Sequence, residues 1–351
     1  MTLDDLVKSL PVWLNPGGPE ADTVISSRLR LARNLADMPY AHRVDTDTLH
    51  EIEHMIIDAS VEAGYRAGDY IRTGDFDDVH RDLMVERHLI SPRLAQFSDG
   101  RGIIVKNGER ESIMVNEEDH IRIQLFRSGF DLLDAWEEID SLDDRISHGV
   151  KYSYSRRYGF LTACPTNFGT GLRASILIHL PALVLTKEMQ KVMRSAAQLG
   201  LAVRGYYGEG SDVVGNLFQI SNQTSLGRSE HDIIDAVTSV ANRILDYENK
   251  AADLLMKEAR HQVEDKIWRS VGILKTARVM STQEFMNLSS AVRFGHKLGF
   301  IADPGLRALN ELMVMTQPGH LQAREGSVIE AQKRDIVRAD MVRKRFVDVN
   351  I

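Results

Sequence analysis

The sequence has a single cysteine, Cys164, and only 9 prolines and 7% aromatic residues. One thiol cannot form an internal disulfide, which excludes a disulfide-stapled secreted scaffold and favours a reducing cytoplasm. No apolar run is long enough to cross a membrane, and the start of the chain, Met1-Thr-Leu-Asp-Asp, has no secretory character. Acidic residues outnumber Lys and Arg by 50 to 43, and this net charge of −7 argues against direct nucleic-acid binding.

The chain has 351 residues, of which 43% are hydrophobic, an ordinary fraction for a soluble protein. This length is too great for one small core and predicts two domains. Neither an internal repeat nor a low-complexity linker is visible. Residues 1–21 are interpreted as a short lead-in that contains a breaker, Asn15-Pro-Gly-Gly-Pro.

Alternating residues place arginines on the polar faces of several predicted strands. In Ser26–Leu31 the leucines alternate with Arg28 and Arg30, so both guanidinium groups lie on one face. Further predicted strands offer three more arginines in the same way: Arg122, Arg173 and Arg204. A planar guanidinium group can donate two parallel hydrogen bonds to the oxygens of a phosphate group. The five arginines are therefore predicted to bind phosphate. The alternatives are a solvated edge strand for Arg28 and Arg30, and a surface salt bridge for any one arginine.

A predicted hairpin and several helices complete the pattern. Gly102–Val115 contains two apolar strands around Asn107-Gly108, a dipeptide favoured in turns. Strands joined in this way, with helices between them, predict an α+β fold with a largely antiparallel sheet. Helices are predicted over 45–64 and 143–157, and Thr186 is predicted to cap the next helix.

The C-terminal part is predicted to be all helical. Residues 229–270 contain no Gly or Pro and are predicted to form two helices. Ser281 begins a capping-box pattern, and Asp303-Pro304 is typical of an N-cap followed by proline at the first helical position.

A glycine loop lies in the middle of the chain. Phe160–Ala163 is predicted to be a short buried strand that ends at Cys164-Pro165, and the loop after it contains Gly169 and Gly171. Such a loop can bring backbone close to a phosphorylated ligand. The alternative is an ordinary connection with a buried thiol, since a lone glycine loop is a weak signal.

The loop sequence Cys-Pro-Thr-Asn-Phe-Gly-Thr-Gly-Leu-Arg-Ala-Ser, residues 164–175, resembles the defining motif of the phosphagen (guanidino) kinases. These enzymes move phosphate between ATP and a guanidinium group. Other segments match the family in the same order: Ser26–Arg30, Asn116–Arg122, Arg204–Glu209, and Gln219–Asn222 followed by Leu226-Gly227. The resemblance covers roughly residues 22–250.

The resemblance implies an open antiparallel sheet, backed by helices, whose concave face holds ATP. His88 would stack on the adenine, although a lone histidine is more often structural. Mg²⁺ would be held through the nucleotide phosphates, with no dedicated protein metal site. The implied ATP-binding residues are Ser26, Ser27, Arg28, Leu29, Arg30, His88, Arg122, Arg173, Ala174, Ser175, Ile176, Leu177, Arg204, Gly205, Tyr206, Tyr207, Gly208 and Glu209.

Three residues match catalytic positions of the family: Glu118, Glu209 and Cys164. Guanidinium stays protonated, so an acceptor site needs carboxylates to orient it and to accept its proton. Glu118 is predicted as the main base and Glu209 as its orienting partner, with Cys164 nearby as a thiolate. The adjacent acids Glu117 and Asp119 could instead face solvent or cap a turn, and a sole cysteine is often a small buried apolar residue.

The C-terminal part resembles the bacterial protein arginine kinases, a branch of the same family. Its motif Arg334-Asp335-Ile-Val-Arg338-Ala339 matches their RDxxRA motif, which implies a phosphoarginine-binding regulatory site. The alternative is a solvated basic face with Arg343, Lys344 and Arg345. We therefore expect a catalytic domain over 22–250 and a helical regulatory or oligomerisation domain over 251–351.

The expected function is ATP-dependent phosphorylation of arginine side chains in proteins, which would mark them for regulated degradation in the stress response. The resemblance implies several partners: substrate proteins with exposed arginine, phosphoarginine, an activator protein, a Clp-type unfoldase, and a homodimer or larger homo-oligomer. Two alternatives stay open. One is a kinase for a free guanidino metabolite, and the other is a non-catalytic phosphoarginine-binding adaptor.

Overall fold

An eight-stranded antiparallel sheet forms the centre of the molecule in the computed structural model, which describes residues 9–206 and 213–349. Its strand order is β2-β3-β4-β5-β1-β8-β10-β9, and β6 and β7 form a separate two-stranded ribbon. This arrangement confirms the predicted α+β class. The strands are β1 (Val24–Arg33), β2 (Tyr70–Arg72), β3 (Gly102–Lys106), β4 (Glu111–Val115), β5 (Ile121–Ser128), β6 (Tyr154–Ser155), β7 (Gly159–Phe160), β8 (Leu172–His179), β9 (Leu201–Gly205) and β10 (Leu217–Asn222).

Helices pack behind the sheet and form the C-terminal region. We number them α1 (Thr46–Glu62), α2 (Asp78–Glu86), α3 (Leu132–Gly149), α4 (Pro181–Leu185), α5 (Met189–Gln198), α6 (Glu230–Glu258), α7 (Arg260–Thr276), α8 (Thr282–Lys297), α9 (Leu306–Met315), α10 (Pro318–Glu325) and α11 (Ala331–Phe346). None of the helices within 9–206 and 213–349 is long and apolar enough to span a bilayer.

Strand β1 is the central strand of the arginine-bearing face. It pairs with β5 on one side and β8 on the other, so the interpretation of Ser26–Leu31 as an edge strand is wrong. Leu29 and Leu31 are completely buried in the core, whereas Arg28 and Arg30 lie half-buried on the opposite face. The alternation in the sequence therefore separates a core face from a ligand-accessible face.

One hydrophobic core joins the sheet to the C-terminal helices. Leu29 of β1, Ile176 of β8, Ile233 of α6 and Phe285 of α8 belong to the same buried cluster. Helix α6 runs without a break through residues 250 and 251. The helical C-terminal region is thus packed against the central sheet instead of being tethered to it by a linker.

Several local predictions are confirmed. Helix α1 covers most of 45–64, and the Asp45 side chain accepts the backbone N–H of Thr48 at its N-terminus. The Gly102–Val115 hairpin is formed by β3 and β4. Residues 229–270 contain two helices that meet at Ala259, and Ser281 caps α8 by accepting the N–H of Glu284.

The predicted strand over Phe160–Ala163 is wrong, because only Gly159 and Phe160 join a ladder. The next backbone N–H groups find separate partners. Leu161 donates to the carbonyl of Ser153, and Ala163 donates to the carboxylate of Asp119. Apolar composition alone does not make a strand when no single neighbour offers a row of carbonyls.

Three helix predictions are also wrong. The helix predicted over 143–157 is α3, which begins at Leu132, where its buried stripe begins, and ends at Gly149. The Thr186 hydroxyl donates to the carbonyl of Ala182, so it closes α4 instead of capping α5. Helix α9 begins at Leu306 with Gly305 as its N-cap, and Asp303 lies outside it.

Candidate active site

Five arginines from four strands line one cleft with a volume of about 270 Å³. They are Arg28 and Arg30 of β1, Arg122 of β5, Arg173 of β8 and Arg204 of β9. The register places Arg30 directly opposite Arg173, and it places Arg122 opposite Ala32, two residues further along β1. Antiparallel pairing therefore assembles a group of cations from residues that are far apart in the sequence.

Burial and mutual repulsion perturb these guanidinium groups. The pKa of Arg28 is lowered to about 10, first by burial and then by the positive charges of Arg173 and Arg122. The pKa of Arg30 falls well below its usual value, again by burial and then by Arg28, Arg173 and Arg122. Like charges that are crowded together in a half-buried cleft suit the binding of an anion, whose charge would offset the repulsion.

A pocket with aromatic walls adjoins the arginines. The Trp13 ring stacks on Phe126 at 5.0 Å, and the His88 ring meets Tyr206 edge-on at 5.5 Å. Burial, followed by the charges of Arg28 and Arg30, lowers the pKa of His88 to about 3, so its imidazole is neutral at pH 7. The other residues that line this pocket are Ser26, Arg28, Ser175, Ile176, Leu177 and Gln219. Flat neutral rings beside a cationic cleft suit a heteroaromatic base attached to phosphates.

Two adjacent acids after β4 differ in their environments. Glu117 is 5% exposed, pairs with Arg122 at 2.9 Å and accepts the hydroxyl of Ser91 at 2.6 Å. Burial alone would raise the pKa of Glu117, but Arg122 and Ser91 outweigh it, and the pKa is lowered. The Glu118 side chain is 28% exposed, and its carboxylate lies 3.5 Å from Arg122 and 3.7 Å from Arg93.

The acidic turn is joined to the glycine loop. The Asp119 carboxylate accepts the backbone N–H of Ala163 at 2.6 Å and the Asn34 amide at 2.6 Å. The half-buried Cys164 Sγ lies 3.0 Å from the Thr166 hydroxyl. Glu117 and Asp119 are both buried, so the alternative that they face solvent is wrong. Asp119 holds the loop that carries Cys164 next to the turn that carries Glu118.

Comparison with known protein families gives two matches that together cover most of the chain. Residues 50–251 match the ATP:guanido phosphotransferase C-terminal catalytic domain. Residues 260–350 match the protein-arginine kinase McsB C-terminal domain. This chain belongs to the ATP:guanido phosphotransferase family. It is therefore a kinase, as the loop and arginine motifs predict.

Curated relatives of this guanido phosphotransferase carry the name protein-arginine kinase. The protein from Halothermothrix orenii is 44% identical over 347 residues, with 99% of each chain covered. The protein from Bacillus subtilis is 42% identical over 341 residues, which is 96% of this chain and 94% of the relative.

Solved structures show the same fold. A lombricine kinase superposes with a TM-score of 0.57 at 24% identity, over 70% of this chain and 75% of that chain. A duplicated taurocyamine kinase from Schistosoma mansoni gives a TM-score of 0.56 at 22% identity, over 71% of this chain and 38% of its own. At these identities the likeness concerns the fold alone.

The predicted nucleotide residues of this guanido phosphotransferase occupy different positions. Ser26, Ser175, Ile176 and Leu177 line the aromatic-walled pocket. Leu29 and Ala174 are buried in the core, and the Ser27 hydroxyl donates to the carbonyl of Gly129. Gly205 ends β9. Tyr207, Gly208 and Glu209 lie outside the described residues.

The predicted phosphoarginine residues lie on α11, and none of them lines the arginine cleft. Arg338 is 1% exposed, and its guanidinium donates to the carbonyls of Thr316 and Met280 at 2.8 Å each. Arg338 also pairs with Asp335, while Ala339 is fully buried. The Arg334 guanidinium donates to the carbonyl of Ile329 at 2.8 Å. The phosphoarginine role of this motif stays a prediction.

Sequence reasoning missed several residues that line the site. Residues 9–21 are more than a lead-in, because Trp13 is 2% exposed and forms a wall of the aromatic pocket. The apolar run Val12-Trp13-Leu14 was an available signal. Gln124 alternates with the core residues of β5, and Gln219 begins a segment that matches the family, so both could be predicted to line the site. Gln317, from the start of α10, lines the cleft without any local signal.

Among the described residues, no group of three or more His, Cys, Asp or Glu side chains is arranged to hold a metal ion. The cleft instead offers guanidinium donors, which suit the oxygens of a phosphate chain. A divalent cation that entered with a nucleotide would be held chiefly by the phosphates and by water.

Proposed function

We propose that this chain transfers the γ-phosphoryl group of ATP to the guanidinium group of arginine side chains in proteins. The observation that carries the proposal is a cleft lined by five half-buried arginines, among which Arg28 and Arg30 are repelled by their neighbours, next to the carboxylates of Glu117 and Glu118. The transfer needs cations that bind the phosphate chain and carboxylates that orient the guanidinium group and accept its proton.

The arginine cleft would bind the phosphates. Arg28, Arg30 and Arg173 are close enough to perturb one another, so they can surround one phosphate chain from two neighbouring strands. The adenine would lie against the rings of His88 and Tyr206, which line both the arginine cleft and the aromatic-walled pocket. Fixed guanidinium donors would stabilise the charge that develops during transfer without needing to reorganise.

Glu118 is the residue that we assign as the general base. Its carboxylate is partly exposed, so an incoming guanidinium can reach it, whereas the Glu117 carboxylate is buried and bound by Arg122 and Ser91. Glu117 would therefore hold Arg122 in place. Cys164 and Glu209 would help to orient the acceptor.

Mg²⁺ bound by the nucleotide would neutralise phosphate charge and help to align the transferred group. The phosphate oxygens and water would hold most of its coordination shell, since no three His, Cys, Asp or Glu side chains among the described residues are grouped to hold a metal ion.

The names of the relatives favour arginine in proteins, and not a free guanidino metabolite, as the phosphate acceptor. Proteins that align over 94 to 99% of their own length are named protein-arginine kinases, and the C-terminal region matches the domain named after that enzyme. The partly exposed carboxylate of Glu118 next to the arginine cleft favours an enzyme over a non-catalytic adaptor.

The test is incubation of the full chain with Mg-ATP and an unfolded, arginine-containing protein. The modified protein is then analysed by mass spectrometry under non-acidic conditions that preserve the phosphorus–nitrogen bond. We expect phosphate on arginine side chains, and a parallel reaction with free arginine should give little product. Rapid phosphorylation of free arginine with an unlabelled protein would identify a metabolite kinase instead.

A regulatory and degradative role is a further part of the proposal. Phosphorylated arginine would mark proteins for an unfoldase of the Clp type in the stress response. The kinase itself would act in the cytoplasm as a homo-oligomer, and an activator protein would control its activity. Phosphoarginine bound at α11 would need the Arg338 guanidinium to leave the carbonyls of Thr316 and Met280. Arg334, whose side chain is only half-buried, would make the first contact.

A further inference from the structure

The C-terminal helical region reaches the arginine cleft. Gln317, the residue that precedes α10, lines the same cleft as Arg30, Arg122 and Arg204. Its side chain is almost completely buried, and its Nε2 donates to the carbonyl of Met313 at 2.8 Å. The end of α9 thus fixes the amide of Gln317 in the wall of the cleft.

Helix α10 is attached to the end of α2 that forms the same wall. The Glu86 carboxylate accepts the backbone N–H groups of Gly319 and His320 at 2.7 and 3.0 Å. An acid from α2 therefore caps the N-terminus of α10, where a negative charge also interacts favourably with the helix dipole. Val85, Glu86 and His88 all line the cleft, so this cap is part of the site wall.

His320 gives the attachment a defined hydrogen-bond direction. Arg87 can only donate, and its Nε lies 3.0 Å from His320 Nε2, so Nε2 is the acceptor. The ring proton then lies on Nδ1, which donates to Glu86 at 2.8 Å. Burial lowers the pKa of His320, which agrees with a neutral ring, and Arg87 continues the chain to the buried Glu109.

Close packing of the two helices depends on Gly319. A Cβ atom at this position would lie 2.7 Å from the backbone nitrogen of Leu83 and 2.8 Å from the Cβ of Asp82. Real Cβ contacts are almost never this short, so any side chain at residue 319 would force α10 away from α2. The distance between α10 and the cleft is therefore set by backbone packing.

We propose that α10 is a structural wall of the nucleotide site: Gln317 contacts the bound nucleotide, and Glu86, Gly319 and His320 are positioning residues that fix the segment Val85–His88. This inference rests on the proposed function only in taking the cleft ligand to be ATP. It makes the C-terminal helical region a component of catalysis, because the nucleotide site is incomplete without it.

The first test introduces a charge at the wall. Gln317→Glu would place a carboxylate beside the phosphate chain, and its repulsion should weaken ATP binding by about tenfold or more. Gln322→Glu is the matched control, because Gln322 is a buried glutamine of α10 that accepts the N–H of Ile329 away from the cleft. Calorimetry gives the ATP dissociation constant of each variant, and thermal unfolding shows whether it is folded.

The second test moves the wall without changing charge. Gly319→Ala should weaken ATP binding several-fold, because α10 and the end of α2 must separate. Gly272→Ala is the control: it is also a glycine within a helix, and an added methyl group there meets no atom within 4 Å. Since alanine favours helix over glycine, any loss in Gly319→Ala comes from the contact with α2.

The outcomes separate this inference from the proposed function. A wild-type chain that does not bind ATP would contradict the proposed function. Wild-type-like ATP affinity in folded Gln317→Glu and Gly319→Ala would overturn the inference and leave α10 as a scaffold. If Gln317→Glu does not fold, Gln317→Asn replaces it: shortening the side chain should raise the dissociation constant of ATP, and unchanged binding again counts against a contact.

Discussion

At the scale of single residues, neighbouring acids acquire different roles from their surroundings. Glu117 is held by Arg122 and Ser91, while Glu118 keeps a partly exposed carboxylate. The sequence predicts an acid at this turn, and Glu118 is its expected base. It does not show that Glu117 is buried, because Ser91 and Arg122 reach that carboxylate from other parts of the chain.

Glu118→Gln removes the acceptor charge and keeps the shape. If Glu118 is the base, kcat should fall by about a hundredfold or more, while ATP affinity changes little. Steady-state phosphorylation of a protein substrate and calorimetry of ATP binding measure the two effects. Glu137→Gln, at an exposed position on α3, should behave as wild type. Near-normal turnover in Glu118→Gln would reject the assignment.

Arg173→Met tests whether the crowded arginines that bind the anion also lower the stability of the folded chain. Arg173 lies opposite Arg30 and lowers the pKa of both Arg28 and Arg30. An uncharged side chain of similar length should therefore leave the melting temperature unchanged or raise it, while ATP affinity falls about tenfold to a hundredfold. Differential scanning calorimetry and ATP titration give the two values. A lower melting temperature with unchanged ATP affinity would show that Arg173 is structural.

At the scale of elements, the glycine loop is fixed by backbone contacts. Gly171 has a φ of +65°, and a Cβ atom there would lie 2.6 Å from the carbonyl oxygen of Ala32 in β1. The loop that enters β8 therefore approaches β1 more closely than any side chain permits. This contact lies next to Arg173, so an error in it would displace part of the phosphate site.

Gly171→Ala should cost about 2 kcal/mol or more of folding free energy, since both the positive φ and the short contact oppose a side chain. Gly227→Ala is the matched control, because its φ is +78° and an added Cβ meets nothing within 4 Å. It should cost only about 1 kcal/mol. Urea unfolding of both variants measures the difference. Equal costs would mean that backbone conformation, and not the contact with β1, decides the effect.

Strands with a regular alternation of apolar and polar residues can be predicted from the sequence, whereas the loops between elements cannot. Strands β1, β5 and β8 alternate clearly, since one face packs on the core and the other on the cleft. The prediction of a strand over Phe160–Ala163 is wrong because the N–H groups of Leu161 and Ala163 bond to Ser153 and Asp119, and no local pattern reveals these partners. The start of α3 was missed although Leu132 opens a regular buried stripe.

At the scale of the whole molecule, several histidines are buried in neutral form. The backbone N–H of Leu35 donates to His120 Nδ1, so the ring proton lies on Nε2, which donates to the carbonyl of Pro39. Burial lowers the pKa of His120 to about 4 and that of His88 to about 3. Both rings are free to take up protons only when the chain unfolds.

The free energy of unfolding should therefore fall as the pH drops below about 6.5. In this range the histidines of the unfolded chain bind protons, whereas the same histidines stay neutral in the folded chain. Each such histidine removes about 2 kcal/mol between pH 6.5 and pH 5. His120→Gln should make the pH dependence shallower, while His261→Gln, at an exposed position, should not. Urea unfolding at several pH values measures the slopes. The same slope in His120→Gln as in wild type would contradict this account.

Long-range assembly sets the limit of prediction at this scale. The motifs identify the five site-forming strands β1, β5, β8, β9 and β10, but Trp13 and Gln317 come from opposite ends of the chain. Each is brought to the site by packing: Trp13 stacks on Phe126, and the segment after Gln317 docks on Glu86. Such contacts leave no trace in local hydrophobic periodicity.

The crowded cations of the cleft also determine how the protein responds to its buffer. Because Arg28 and Arg30 repel their neighbours, any small multivalent anion that enters the cleft relieves electrostatic strain. Sulfate, inorganic phosphate and pyrophosphate will thus raise the melting temperature by mass action and compete with ATP. We therefore expect such anions both to inhibit this enzyme reversibly and to stabilise its folded state.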